Sequence, residues 1–390
     1  MNTDRRRVVA TIMVCHFIAA FAALGMPPFF ALILDKSLHS EAAYLAGWLY
    51  VVPTFFTAIS SPWWGRLADK YGKKPLLLRA QLGLAGSFLL AGFAPNTWVF
   101  FVALSLQGLL GGTFAASNAY LATVVSGPAL TRSLTMMQWS ARAALVIAPA
   151  GLGLLMTMES PLELYRYLAL FPLIAVLFIN RLPTCQAQAG TQSSMQAKGQ
   201  AIEATPMQIY ALQFAFVFAT VITFPYFVPF IQAGSGSVSP AIAGLVFGLP
   251  HLVYLLCAVP LSRYLGQRNL VLMLLLSYLL LAATLFGQAL FPSLPAVVAW
   301  RVVMGLSMTV GFIGLHALIA GIVNSDNAGR TFGWFESNSK WGAVIAGLIA
   351  GTAVQALDLR APFFIGALTM LAAGCYLAGL VFYRLRLRNS

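Results

Sequence analysis

Residues 47–54, GWLYVVPT, return at 244–251 as GLVFGLPH, which sets Gly47 on Gly244 and Pro53 on Pro250, a shift of 197 (250 − 53). The same shift carries Arg66 to Arg263 and Gly108 to Gly305. It also carries residues 16–30, HFIAAFAALGMPPFF, to 213–227, QFAFVFATVITFPYF, with His16 on Gln213 and Pro28 on Pro225. With one residue inserted, Arg132 meets Arg330, Gln138 meets Glu336 and Arg142 meets Lys340. A single match of this kind arises by chance. A steady shift across several segments marks an internal duplication.

Both copies are written for lipid. Only 8% of the 390 residues are charged and 60% are hydrophobic, far from the roughly one-quarter charged share of soluble domains. A span needs about twenty apolar residues. Cutting at polar and Pro/Gly-rich breaks predicts twelve helical spans, at 8–34, 44–66, 75–94, 98–124, 133–157, 164–180, 207–232, 241–262, 269–289, 294–322, 331–356 and 362–383. The runs are continuously apolar, so an alternating β-barrel pattern is excluded. Arg5, Arg6 and Arg7 precede an apolar run too long for a cleaved leader, which is read as the first span. The net charge of +13 falls in short clusters between spans, so no nucleic-acid partner is expected. Cys15, Cys185, Cys257 and Cys375 are far apart and suggest neither disulfides nor a metal site.

Lys and Arg sort by loop. One set of loops holds Arg5 to Arg7, Arg66, Lys70, Lys73, Lys74, Arg132, Arg181, Lys198, Arg263, Arg268, Arg330, Arg384, Arg386 and Arg388, and the other only Lys36, Arg166 and Arg360. The positive-inside bias then places both termini in the cytoplasm, with the chain multi-pass in the inner membrane. Residues 182–206, LPTCQAQAGTQSSMQAKGQAIEATP, read as a cytoplasmic linker. It divides an N-terminal six-helix half, 1–181, from a C-terminal half, 207–390. Parallel repeats of this kind place a solute site near the bilayer midplane where the repeats meet.

The segment Gly65-Arg66-Leu67-Ala68-Asp69-Lys70-Tyr71-Gly72-Lys73-Lys74 resembles the G-x-L-a-D-r-x-G-r-k loop of the major facilitator superfamily. With the twelve spans and the repeat, the resemblance covers the whole chain. It implies a transporter working by alternating access, in which Gly65, Asp69, Gly72 and Lys73 form a gate and Asp69 braces the start of span 11. A carboxylate there is stabilised by free helix amides. Other signatures depart from the family. Leu104 stands where span 4 expects an arginine, while Arg301 keeps it in span 10, where it either ties helices or touches solute. The span 5 antiporter pattern survives only as Ala144, Ala148, Pro149 and Gly153.

Ionisable groups inside a span are costly and mark function by default. Of the ten acids, Glu336 alone lies well within a span. Any carboxylate-based proton coupling runs through it, and Lys340 follows at the spacing for a same-face pair. Arg142 and Lys340 occupy equivalent places in spans 5 and 11, so two cations suggest a solute bearing a carboxylate. Asn118, Gln138, Asn338, His16 and Gln213 complete the expected substrate contacts, and Arg79 is expected to snorkel toward the interface. No nucleotide loop, catalytic group or metal cluster is present in the sequence, so neither an enzyme nor a resident cofactor is expected. The reading is a proton-coupled exporter of a small organic anion or zwitterion, resembling the drug and metabolite efflux branch, with carboxylate siderophores as one solute class. It needs only protons, solute, lipid and a monomer. The competing readings are uptake or anion exchange without protons, and a membrane sensor or assembly partner without transport.

Overall fold

The computed structural model describes residues 3–40, 45–153, 155, 159–184, 205–235, 238, 240–265 and 270–388. Most of the expected linker, with Cys185 and Lys198, lies outside these residues, as does Arg268. Every described element is helical: α1 (Thr3–Gly25), α2 (Phe30–Lys36), α3 (Leu45–Tyr71), α4 (Lys73–Gly92), α5 (Thr97–Leu110), α6 (Thr113–Val124), α7 (Gly127–Gly153), α8 (Leu164–Leu168), α9 (Leu170–Asn180), α10 (Pro206–Val221), α11 (Phe227–Ser235), α12 (Pro240–Leu265), α13 (Leu270–Leu290), α14 (Leu294–Ile322), α15 (Ala328–Ala356) and α16 (Ala361–Arg388).

Nine described stretches are long and apolar enough to cross a membrane, three of them interrupted: Thr97–Val124, Pro161–Asn180 and Pro206–Gly234. Three more helices, α3, α7 and α15, run for 27, 27 and 29 residues, enough to cross a hydrocarbon core of about 30 Å at the helical rise. These three carry the polar side chains discussed below.

The chain forms two compact units. One holds Met1–Gln192 with Val323–Lys340, the other Ser193–Ile322 with Trp341–Ser390. The duplication shows inside each. In the first, α5 crosses α3 so closely that a Cβ on Gly108 would overlap the Pro53 carbonyl. In the second, α14 crosses α12 so that a Cβ on Gly305 would stand 2.9 Å from the Pro250 Cα and 2.6 Å from the Val253 side chain. Each proline removes the helical N–H partner of a carbonyl one turn back, and each glycine admits the neighbouring backbone.

The copies then diverge. Leu104 is buried against Phe30, Phe100 and Tyr165 in the apolar core of the first unit. Arg301, its counterpart, is 1% exposed. Its Nε donates to the Val246 carbonyl at 3.2 Å, its Nη2 donates to the Phe247 carbonyl, and its guanidinium lies 4.1 Å from the Phe227 ring centre. All of these partners belong to helices of the second unit, so Arg301 ties α14 to α11 and α12.

The expected span 98–124 is not one helix. Gly111 and Gly112 interrupt it, with Gly112 at φ 72°, a left-handed conformation that costs other residues about 1–2 kcal/mol. Carbonyls released inside a membrane need partners, and they have them. Gly108 O accepts from Thr57 Oγ1 at 3.2 Å and Ser60 Oγ at 3.3 Å, and Leu109 O from Trp64 Nε1 at 2.6 Å. Leu110 O accepts from Arg79 Nη1 at 2.5 Å. Arg79 therefore does not snorkel. Its guanidinium turns inward, stacking 3.5 Å from the Trp64 ring, because the open carbonyl and the aromatic face outbid the interface. Positions 308 and 309, the repeat mates of the glycine pair, are Met and Thr, and α14 runs through them unbroken.

Gly112→Ala is expected to destabilise the protein by about 1 kcal/mol through the left-handed backbone alone, since no side chain crowds the position. A lowered melting midpoint in detergent checks this; an unchanged midpoint contradicts the break.

Candidate functional site

Two constellations in the first unit carry chemistry, and α15 contributes to both. The outer one begins at Gly72. Its φ of 101° ends α3 and starts α4 in a single residue, which aims the last turn of α3 at the first turn of α15. There the Asp69 carboxylate accepts from the Gly329 amide through Oδ1 and from the Arg330 amide through Oδ2, each at 2.8 Å. Lys73 Nζ approaches Oδ1 at 2.9 Å, with both side chains largely buried. A carboxylate bridging two free amides at a helix N-terminus is favoured by both the hydrogen bonds and the helix dipole.

Glycine makes this approach possible. A Cβ on Gly65 would overlap the Gly329 carbonyl, and one on Gly329 would overlap the Gly65 carbonyl. One turn of α15 further in, a Cβ on Gly333 would stand 2.5 Å from the Ser61 carbonyl, and one turn beyond that Ser337 Oγ donates to the Ala58 carbonyl at 2.6 Å. Gly329, Gly333 and Ser337 therefore form one small-residue stripe against α3. Residue by residue this stripe was not among the sequence expectations. Its signal is the four-residue spacing of small side chains.

The inner constellation lies deeper along the same helix. Glu336 is 7% exposed, and its Oε1 stands 3.3 Å from Lys340 Nζ, whose side chain is 36% exposed. The carboxylate is thus the buried member and the ammonium the accessible one. His16 of α1 is 3% exposed, with neither ring nitrogen hydrogen-bonded. Its ring lies 5.1 Å from that of Phe114 on α6. Asn118, one turn beyond Phe114, is likewise 3% exposed and leaves Oδ1 without a partner. Buried polar atoms of this kind are uncommon and call for an explanation.

Gln138 and Arg142 sit one turn apart on α7, both half-buried. Asn338 is half-buried, and its amide nitrogen donates back to the Trp334 carbonyl at 2.8 Å, which leaves its oxygen for other use. Gln213 is buried in the second unit with Oε1 unpartnered. So His16, Asn118, Gln138, Arg142, Glu336, Asn338 and Lys340 belong to one compact unit, and Gln213 and Arg301 to the other. Gln81 of α4, absent from the sequence expectations, is fully buried with neither amide atom bonded.

A model of the Major Facilitator Superfamily matches residues 12–237 and again 209–389. The chain belongs to the Major Facilitator Superfamily. It is therefore a multi-pass membrane transporter and not an enzyme, and its helices make up the twelve spans of that fold. It is similar to "Multidrug resistance protein MdtG" of Salmonella heidelberg, 28% identical over 389 residues, covering 95% of this chain and 94% of that protein. The protein of the same name from Enterobacter lignolyticus is 26% identical over 395 residues, covering 95% and 91%. Among solved structures, the human organic anion transporter MFSD10 (TETRAN) superposes with a TM-score of 0.80 at 18% identity, over 97% of this chain and 100% of that one. FucP in the outward conformation gives 0.76 at 15% identity, over 95% and 98%.

Asp69→Asn removes the Lys73 ion pair and one of the two amide acceptors. It is expected to cost about 1–3 kcal/mol at this contact and to speed hydrogen exchange at the Gly329 and Arg330 amides roughly tenfold or more. Unchanged exchange at those two amides contradicts the assignment.

Proposed function

We propose that this transporter expels a small organic solute carrying both a negative and a positive group, in exchange for a proton bound at Glu336. The observation that carries the proposal is the Glu336–Lys340 ion pair, in which the only acid well inside a span is buried while its cation stays accessible. The names of the full-length relatives, multidrug resistance proteins, support outward movement of foreign amphiphiles over uptake of one nutrient.

The sign of the coupling follows from charge. A solute carboxylate competes with Glu336 for Lys340 and adds Arg142 as a second grip, bidentate where the ammonium is a point charge. A purely anionic solute would leave Glu336 unpaired at low dielectric, and an unpaired buried carboxyl takes up a proton. Solute and proton would then bind together and travel the same way. Only a solute with its own positive group placed against Glu336 competes with the proton, and competition for one site is what exchange requires. Export driven by the proton gradient thus selects the zwitterion among the solutes considered, with His16, Asn118, Gln138, Gln213 and the Asn338 oxygen as its uncharged contacts.

The protein alternates access, with 1–181 and 207–390 as the moving halves and 182–206 joining them, both termini in the cytoplasm and the chain in the inner membrane. The Asp69 contact is then the cytoplasmic latch: when the far side is open it holds α15 through Gly329 and Arg330, and Lys73 pairs with the carboxylate. A fused pair of halves makes the monomer sufficient. The scheme sets two cations, Arg142 and Lys340, against the one carboxylate of Glu336, and that excess favours the second reading, anion uptake or exchange without proton coupling.

The test is flux in reconstituted vesicles under an imposed pH gradient, with a panel of zwitterionic and anionic amphiphiles. Exchange predicts zwitterion accumulation on the acidic side, lost in Glu336→Gln while solute–solute counterflow survives. Lys340→Gln is expected to weaken solute affinity roughly tenfold or more, as loss of a charge-assisted contact of about 1.5–3 kcal/mol implies. Gradient-driven flux that persists in Glu336→Gln ends the proposal, anion flux that does not respond to the pH gradient establishes the second reading, and saturable binding without flux establishes a sensor.

A further inference from the structure

A groove of about 440 Å³ opens between the first three turns of α1 and α7, lined by residues that belong to neither constellation above. Its floor is apolar, formed by Val9, Met13, Pro128 and Met136, and its rim carries Arg6 and Arg132, both exposed. No acidic side chain lines it among the described residues. Gly127, at φ 54°, turns the chain into α7. An apolar trough under two guanidinium groups is built for an amphiphile with an anionic head.

We infer that this groove binds an anionic phospholipid, its phosphate held between Arg6 and Arg132 and an acyl chain laid along Val9, Met13 and Met136. Charge complementarity chooses the occupant. A neutral protein segment or a zwitterionic lipid would leave two cations with no full counter-charge, whereas a net-negative headgroup supplies one to both. Position agrees. Both arginines stand at the starts of spans, on the end of the bundle where the chain order also puts the Gly65–Lys74 loop, and guanidinium groups at span ends reach the headgroup layer. The bilayer supplies the ligand at high local concentration, so modest affinity suffices. The site leaves Arg132 outside the solute scheme, although its repeat mate Arg330 lends its backbone to the latch.

The inference is separable from proton coupling, and so is its test. Purified protein is equilibrated with equal amounts of phosphatidylglycerol and phosphatidylcholine of identical chains, and retained lipid is read by native mass spectrometry. The wild type is expected to retain the phosphatidylglycerol preferentially. Arg6→Gln with Arg132→Gln should lower that preference roughly thirtyfold, at about fivefold per basic residue near the headgroup layer. The paired Arg→Lys variants should keep most of it. Ala10→Trp, which fills the floor and spares both charges, should lose the lipid with the melting midpoint retained. Arg181→Gln, an exposed arginine outside the groove, should change nothing. Equal retention of the two lipids by the wild type, an equal loss in Arg181→Gln, retention in Ala10→Trp, or displacement of the lipid by a soluble carboxylate such as citrate would each overturn the assignment.

Discussion

One buried carboxylate organises this protein. Moving an unpaired charge into the membrane interior costs several kcal/mol, and the buried Glu336 side chain has its partner in Lys340, 3.3 Å away. Anything that takes Lys340 must either replace it beside Glu336 or leave the carboxyl to be protonated. In the proposed exchange the pair is a switch whose two states differ by a proton, and among the described residues no second acid lies deep in a span to share the work. The unpartnered nitrogens of His16 and oxygen of Asn118 belong to the same unit. Their unmet hydrogen bonds are what a polar solute would satisfy.

The same helix also carries the Asp69 contact proposed as the latch. Gly329 and Arg330, held by Asp69, lie two turns before Glu336 on α15, and Ser337, bonded to α3, is its immediate neighbour. A rigid helix does not let its first turn stay clamped while its third turn shifts against α3. Events at the ion pair and at the latch are then linked through one element, with no need for a longer chain of side chains. The glycines matter here because α3 and α15 touch backbone to backbone, and a methyl group at Gly65 or Gly329 would push the amides out of reach of Asp69.

Much of this was legible in the sequence because duplication and hydropathy leave linear traces. The shift that set Pro53 on Pro250 and Gly108 on Gly305 anticipates the paired helix crossings found in the two units. The spacing of Glu336 and Lys340 anticipates their ion pair, and the loop motif anticipates where Asp69 points. Other features leave no hydropathy signal. An interrupted span reads as continuous because Gly111 and Gly112 are as tolerated by lipid as their neighbours, and only the φ of Gly112 reveals the break. Arg79 reads as a snorkelling side chain until the Leu110 carbonyl, freed by that break, appears beside it. The contacts of Arg301 are with backbone carbonyls, which no side-chain pattern announces. Gln81 and the Gly329–Gly333–Ser337 stripe were visible but unremarkable among many small and polar residues of the spans.

The claim beneath the rest is that Glu336 gains and loses a proton. Infrared difference spectra of the solubilised protein, recorded between acidic and neutral pH, test it directly and need no solute. The account predicts a titrating carboxyl band in the wild type that is missing from Glu336→Gln. Identical difference spectra for the two proteins would contradict it and leave the ion pair a fixed structural link.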